Sequence, residues 1–360
     1  MIHRVNIHRV NRGGLITRRN MLAAGGSALI AAPFVQTSAQ AQGKIVYVNS
    51  YGGVWETSWR KAFFDPFTAQ TGIQIKTVPG VSFAKLKAQV QTGNYQWDVV
   101  NLGDVEYGQA VLENLLEKVD KVAAKADQLP PNVVREYAIT SYSLGTNIVY
   151  RKDKFPNGGP QSWAEFWDVK KFPGPRCLFD RSFTCLAFAL LADGVPKEKL
   201  YPMDLDRAFR KMDEIKPHVK VWWRDGAQSQ QLIRDGEVDV IAMWSARAVD
   251  LIADKVPLEL IWNGGELYWS NLIVPKGDPN AKAAWQFAGF VAQAKPQADF
   301  AMLLPYGPAN PGARALMPEA RLRLTPAWPD NEKVMFQHDA AWLAPRLAQI
   351  RERWTQWMTS

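Results

Sequence analysis

Polar and aromatic residues gather at four places in this 360-residue chain, each directly after a short apolar stretch. Ser50-Tyr51-Gly52-Gly53 follows KIVYVN, Gly103-Asp104 follows WDVVNL, Asp180-Arg181-Ser182 follows RCLF, and Trp244-Ser245 follows VDVIAM. If those stretches are strands of an open parallel sheet, the clusters sit at its carboxyl ends, where such sheets take ligands. The chemistry on offer is recognition. Hydroxyls and turn amides supply hydrogen bonds, Asp and Arg supply charge, and Tyr and Trp supply apolar walls. One such cluster is an ordinary polar turn; four, drawn from both halves of the chain, point to a cleft between two lobes.

Covalent chemistry finds no comparable support. The chain has no G-x-S-x-G elbow, no H-E-x-x-H, no Walker loop and no G-x-G-x-x-G. Beyond the first 41 residues only His218 and His338 remain, far apart and without the spacing of metal ligands. Asp235 and Asp239 flank Gly236 in what reads as a solvated helix-to-strand turn. No cofactor is implied. Cys177 and Cys185 are the only cysteines, and their spacing allows either a small disulfide loop or two buried thiols.

The elements that position the clusters alternate. Strands are expected at 44–49, 73–78 and 97–103, separated by helices at 54–70 and 82–93. Trp59, Ala62, Phe63 and Phe67 form the apolar face of the first helix. A helix after Asp104 would place Tyr107, Val111, Leu112 and Leu115 on one face. Residues 137–151 read as a long strand pair. Helices at 162–168, 183–192, 204–215 and 227–235 then interleave with strands at 176–180 and 238–244, and 266–275 is a second long extended piece. Strand–helix alternation of this kind builds a parallel sheet covered on both faces. Two such runs, each followed by an extended crossing, predict two lobes that share strands at a hinge.

Residues 1–41 read as an export leader. Thr17-Arg18-Arg19 precedes an apolar core from Met21 to Val35, and Ala39-Gln40-Ala41 ends it with small residues at the cleavage positions. The paired arginines favour the twin-arginine route, with an ordinary secretory signal as the alternative. The leader carries five of the 43 basic residues and none of the 35 acidic ones, which lowers the formal charge from +8 to +3 beyond it. No basic run interleaved with aromatics survives there, so nucleic acid is not an expected partner. All fifteen Trp lie after the leader, most of them expected in the core.

Six strings in order carry a resemblance: PFTAQTGIQI (66–75), AKLKAQVQTGNYQWDVV (84–100), SWAEFWDVKKFPG (162–174), DGEVDVIAMW (235–244), GGELYWSNLIVPKG (264–277) and YGPANPGAR (306–314). Together they make the chain similar to the periplasmic substrate-binding proteins of ABC importers, in the spermidine/putrescine-binding family. The resemblance implies an α/β, two-lobed periplasmic binding protein (type II) fold with crossing hinge strands. It also implies a monomer that closes on a small-molecule ligand and hands it to an ABC-type membrane permease. Lobe 1 would comprise 42–144 and 268–325, lobe 2 would comprise 145–267, and 326–360 would form C-terminal helices packed on the lobes. Mature protein would be periplasmic, cleaved after Ala41.

Carried over residue by residue, the resemblance keeps the aromatic walls and loses the acids. Trp244, Tyr268, Tyr306 and Gln337 match cleft positions, with Trp269 beside Tyr268. The acids that neutralise a polyamine fall on Gly52, Ser270, Arg181 and Thr184, although Asp180 lies one step before Arg181 and Asp104 stands beside Gly103, which takes a serine position. Such a site suits a ligand with a carboxylate, which Arg181 would grip, while Asp104 or Asp180 takes an amine. The expected ligand is a short amino acid or an aminobutyrate-type acid within a polyamine-type family. The alternatives are an exported cofactor-free enzyme and a ferric-ion binder of similar shape.

Overall fold

The computed structural model describes residues 45–360; the leader expected at 1–41 lies outside them. Ten strands form its frame: β1 (Ile45–Ser50), β2 (Gln74–Pro79), β3 (Val100–Gly103), β4 (Ile139–Arg151), β5 (Arg176–Phe179), β6 (Val219–Trp223), β7 (Val240–Trp244), β8 (Leu258–Ile273), β9 (Gly307–Pro308) and β10 (Phe336–Gln337). β1 and β2 pair in parallel, and a single bridge from Val48 to Val99 ties β1 to the approach to β3. The larger sheet runs β10-β8-β4-β7-β5-β6, with β3 added to β8 and β9 to β4.

Two strands dominate. β8 is 16 residues long, roughly 50 Å of extended chain, and β4 is 13. They run antiparallel from Ile139↔Leu272 to Arg151↔Leu258, with irregularities after Thr140 and Thr146. The stretch read as a strand pair is therefore one strand. Gly145 and Asn147 in its middle make no turn but stay extended, paired across to β8 and β7, and its partners come from β7, β8 and β9. β6 was not anticipated at all. Its burial is mostly partial and Trp223 is its one buried side chain, so the apolar signal is thin.

The apolar core divides along the same line. One cluster joins Trp55, Trp59, Phe63 and Phe67 to Trp285, Phe287 and Phe300. Another joins Trp163, Phe166 and Phe188 to Phe209, Ile261, Leu347 and Trp354. The face foreseen on the first helix is buried as expected, across a helical run from Gly53 to Thr71 that includes a π-helical turn at Arg60–Phe64. Gly72 ends it at φ 73°, a conformation that favours glycine. The helix Asp104–Leu112 differs from expectation. It buries Val105, Gln109 and Ala110, and Leu112 is 63% exposed because the chain leaves the helix there and turns through Asn114 at φ 55°. Cys177 and Cys185 are both buried free thiols; burial pushes Cys177 up to about 12.

Gly289, in the helix Ala281–Val291, packs directly on the backbone at Ala124, so a Cβ there would overlap the Ala124 carbonyl oxygen. Backbone cannot swing aside as a side chain can. Gly289→Ala is therefore expected to destabilise the fold by about 1–3 kcal/mol, seen as a lower urea midpoint at unchanged slope.

Candidate functional site

A cavity of about 240 Å³ opens over the crossing strands. Its floor is a set of cross-strand pairs, Tyr142↔Ser270 and Leu144↔Tyr268, which face it because alternate residues share a side of a sheet. Tyr142 stacks on Tyr306 at 4.8 Å and accepts a hydrogen bond from the Trp55 indole at 3.1 Å. Tyr51 meets Trp55 edge to face, and Trp244 does the same with Phe179 and Trp223. The walls are thus aromatic almost all round.

Charge enters from helix starts and from the end of the chain. Glu106 is the third residue of the helix after β3, where the helix N-terminus favours an anion. Arg181 caps the helix Ser182–Ala192, and Arg247 is the third residue of the helix after β7. Arg351 projects from the helix Leu347–Thr359. Arg181 is already engaged. Its Nη2 donates to both Glu106 oxygens at 3.0 and 3.1 Å, Nη1 lies 3.8 Å from Glu266, and the guanidinium lies over the rings of Phe183 and Tyr268.

Glu266 continues the same face of β8, two residues before Tyr268, and is fully buried. It accepts hydrogen bonds from Thr146 at 2.6 Å, Thr184 at 2.9 Å and His338 Nε2 at 2.8 Å. Burial works to raise its carboxyl, but the His338 hydrogen bond and charge, Arg181 and Thr146 outweigh it and hold the group at about 2. Glu106 behaves alike: burial raises it, and Arg181 and Arg351 bring it below its ordinary value.

Arg247 is in a different position. It is 5% exposed, Nη1 donates to the neutral Gln230 Oε1 at 3.2 Å, and Nε is buried without a partner. Among the described residues it makes no ion pair within 4 Å. Gly226 lets it lie close: a Cβ there would come within 2.9 Å of Arg247 Nε and 3.0 Å of the Trp244 ring.

Of the residues singled out in the sequence, the structure gathers Tyr51, Gly103, Arg181, Trp244, Tyr268, Ser270 and Tyr306 around this cavity. Gly103 earns its place by lacking a Cβ, which would run into the Tyr268 hydroxyl. Five others do not line it. Ser50 donates to Glu56 and accepts from the Gly52 amide, so both residues are occupied in the turn after β1. Asp104 pairs with Arg135 at 2.8 Å and accepts from Asn271. Asp180 is held by Arg224 and the Trp354 indole, both at 2.8 Å. Gln337 sits exposed in β10, paired to Leu267. Neither aspartate is therefore placed to take a ligand amine. Glu106, Arg247 and Arg351 were not foreseen. The first two lie one helical turn past a strand end that was recognised, the signal that a search of first turns would have found. Tyr51 lines the cavity with Tyr142, Tyr268 and Tyr306, and Tyr107 does not.

An α/β frame with an aromatic, charge-lined cavity over two crossing strands is the construction of a solute-binding protein. Residues 62–335 match the family described as bacterial extracellular solute-binding protein, and the chain belongs to that family. It is 33% identical over 332 residues to the gamma-aminobutyric acid-binding protein of Pseudomonas aeruginosa, covering 89% of this chain and 92% of the relative. Two solved structures superpose closely. The PBP AgtB of A. tumefaciens R10, in complex with agropinic acid, has a TM-score of 0.82 at 32% identity, over 88% of this chain and 99% of that one. A GABA receptor has 0.80 at 34%, over 87% and 97%. The spermidine/putrescine-binding periplasmic protein of Escherichia coli K12 is more remote, 21% identical over 327 residues, or 88% of this chain and 91% of the relative. The fold is that of the periplasmic binding proteins, and the chain is the solute-binding component of an ABC importer, not an enzyme. The polyamine likeness read from the sequence is therefore the distant part of the resemblance.

Glu266 titrates at about 2 in the fold against an ordinary 4.5. Its contribution is complete above pH 4.5 and is lost as pH falls towards 2, so unfolding free energy should drop by roughly 3 kcal/mol across that window on its account. Urea midpoints measured from pH 7 to 2 should show this drop, and Glu266→Gln should flatten it while lowering stability at neutral pH.

Proposed function

We propose that this protein captures a small amino-acid-like solute bearing a carboxylate, of the gamma-aminobutyrate type, and not a polyamine. The observation that carries the reading is Arg247, a buried guanidinium lining the cavity with no carboxylate of its own. A buried cation needs a counter-charge, and a solute carboxylate supplies it in the bidentate form that arginine favours. Trp244 and Tyr306, beside it in the wall, offer flat apolar surface to the solute's methylenes. A spermidine-like polycation would instead meet three arginines and one lining carboxylate, Glu106, which Arg181 already holds. The gamma-aminobutyric acid for which the P. aeruginosa relative and the GABA receptor are named, and the agropinic acid held by AgtB, are acids, in keeping with a carboxylate-bearing solute.

In this reading the lobes 42–144 with 268–325 and 145–267 close over the solute by bending at β4 and β8, the strands common to both. The two aromatic clusters either side of these strands support that division. The leader at 1–41 directs the chain to the periplasm, where an ABC permease receives the solute.

Titration calorimetry on the purified protein should detect gamma-aminobutyrate and related ω-amino acids, with putrescine and spermidine silent. Arg247→Gln should weaken capture by about 1.5–3 kcal/mol, and Trp244→Ala by roughly 1–3 kcal/mol, with circular dichroism unchanged in both. Tight spermidine binding without amino-acid binding would overturn the proposal. For export, N-terminal sequencing of the secreted form should begin at Gln42.

A further inference from the structure

The charge of the preferred solute follows from the balance of the cavity itself, an inference that rests on the carboxylate reading above. Four ionisable side chains with charge at neutral pH line it: Glu106, Arg181, Arg247 and Arg351. Glu266 completes the set beneath Arg181. Three guanidinium groups therefore face two carboxylates. Arg181 takes the near side of both, at 3.0–3.1 Å to Glu106 and 3.8 Å to Glu266. What remains for Arg351 is a 3.6 Å approach to Glu106 Oε1, the same oxygen that Arg181 holds at 3.0 Å, and a 3.5 Å contact from Nη1 to the neutral Gln109. Arg247 has neither.

A zwitterion cannot settle this balance. Each carboxylate it brings is accompanied by an ammonium, so one positive charge stays uncompensated in a chamber with aromatic walls. Uncompensated charge away from water is costly, and its cost is relieved by a counter-ion of matching sign. Arg247 lies away from water with no anion, and Arg351, partly solvated at the rim, shares its one carboxylate with Arg181.

We infer that the preferred solute is an amino acid with a second acidic group, an amino dicarboxylate carrying one net negative charge, with one carboxylate on Arg247 and the other on Arg351. The amine then faces Glu106 and the hydroxyls of Tyr51 and Tyr268. Arg351 is well placed for selection because its helix is fixed, not trailing. Leu347 and Ile350 are buried, and Trp354 donates to Asp180 at 2.8 Å, tying the helix to the turn after β5. Its guanidinium is about two-fifths exposed, so it serves at the mouth of the cavity, where a longer solute's second group would arrive.

Calorimetry at pH 7 with L-glutamate, gamma-aminobutyrate and putrescine, on the full protein and on Arg351→Gln and Arg351→Lys, tests this. L-glutamate should bind at least about tenfold tighter than gamma-aminobutyrate. Arg351→Gln should lower the ratio of glutamate to gamma-aminobutyrate affinity by about tenfold, and Arg351→Lys should restore most of that ratio, which a merely structural role would not do. Equal or tighter binding of gamma-aminobutyrate, or an equal effect of Arg351→Gln on both, overturns the second-carboxylate inference alone. Binding of putrescine with neither amino acid bound overturns the carboxylate reading as well.

Discussion

A guanidinium held between two carboxylates governs this cavity. Arg181 comes from the start of one helix, Glu106 from the first turn of another and Glu266 from the longest strand, and the three meet only in the finished fold. None is independently tolerable at its depth. Glu266 is fully buried and survives as an anion because Thr146, Thr184, His338 and Arg181 all address it. Ion pairs of this kind add little net stability over apolar packing, yet losing one member strands the others. Arg181 is best understood as part of the wall, a fixed cation that orients Tyr268 by stacking and Glu106 by pairing. The consequence is a difference between arginines: Arg181 is held by two carboxylates, and Arg247 by none.

Much of the frame was legible because it rests on local pattern. The strand ends at Ser50, Gly103, Phe179 and Trp244 announce themselves by an apolar run meeting polar or glycine residues, and the helix caps Ser82, Ser162 and Asp204 work as their residue types suggest. β4 was read as a pair because nothing local tells a long strand from a hairpin with a poor turn. The site was half legible for the same reason. Tyr51, Arg181 and Trp244 lie at recognised strand ends. Glu106 and Arg247 lie one helical turn later, on helices whose rotation only packing fixes. Arg351 stands 245 residues from the carboxylate it approaches, and no periodicity reports such a distance. The misplaced expectations share one cause: Ser50, Asp104 and Asp180 stand at element ends where each already has a partner, Glu56, Arg135 and Arg224 respectively.

The comparison with polyamine binders shows how a frame and its charge can separate. The resemblance read from the sequence implies that aromatic positions are kept while carboxylate positions fall on glycine, serine, threonine and arginine. Shape and apolar lining belong to the fold, and function is set by a few side chains grafted on it. Here the lining holds three arginines and one glutamate.

The C-terminal stretch supplies β10 alongside β8, the His338 donor to Glu266 and the Arg351 rim. Fraying of that last segment would open the core around Leu347 and Trp354 and take a donor from Glu266, so the cavity and the packing behind it depend on the same stretch. Occupancy and the tail's attachment are thermodynamically linked, so nutrient in the medium would also act as a fastener for the end of the chain.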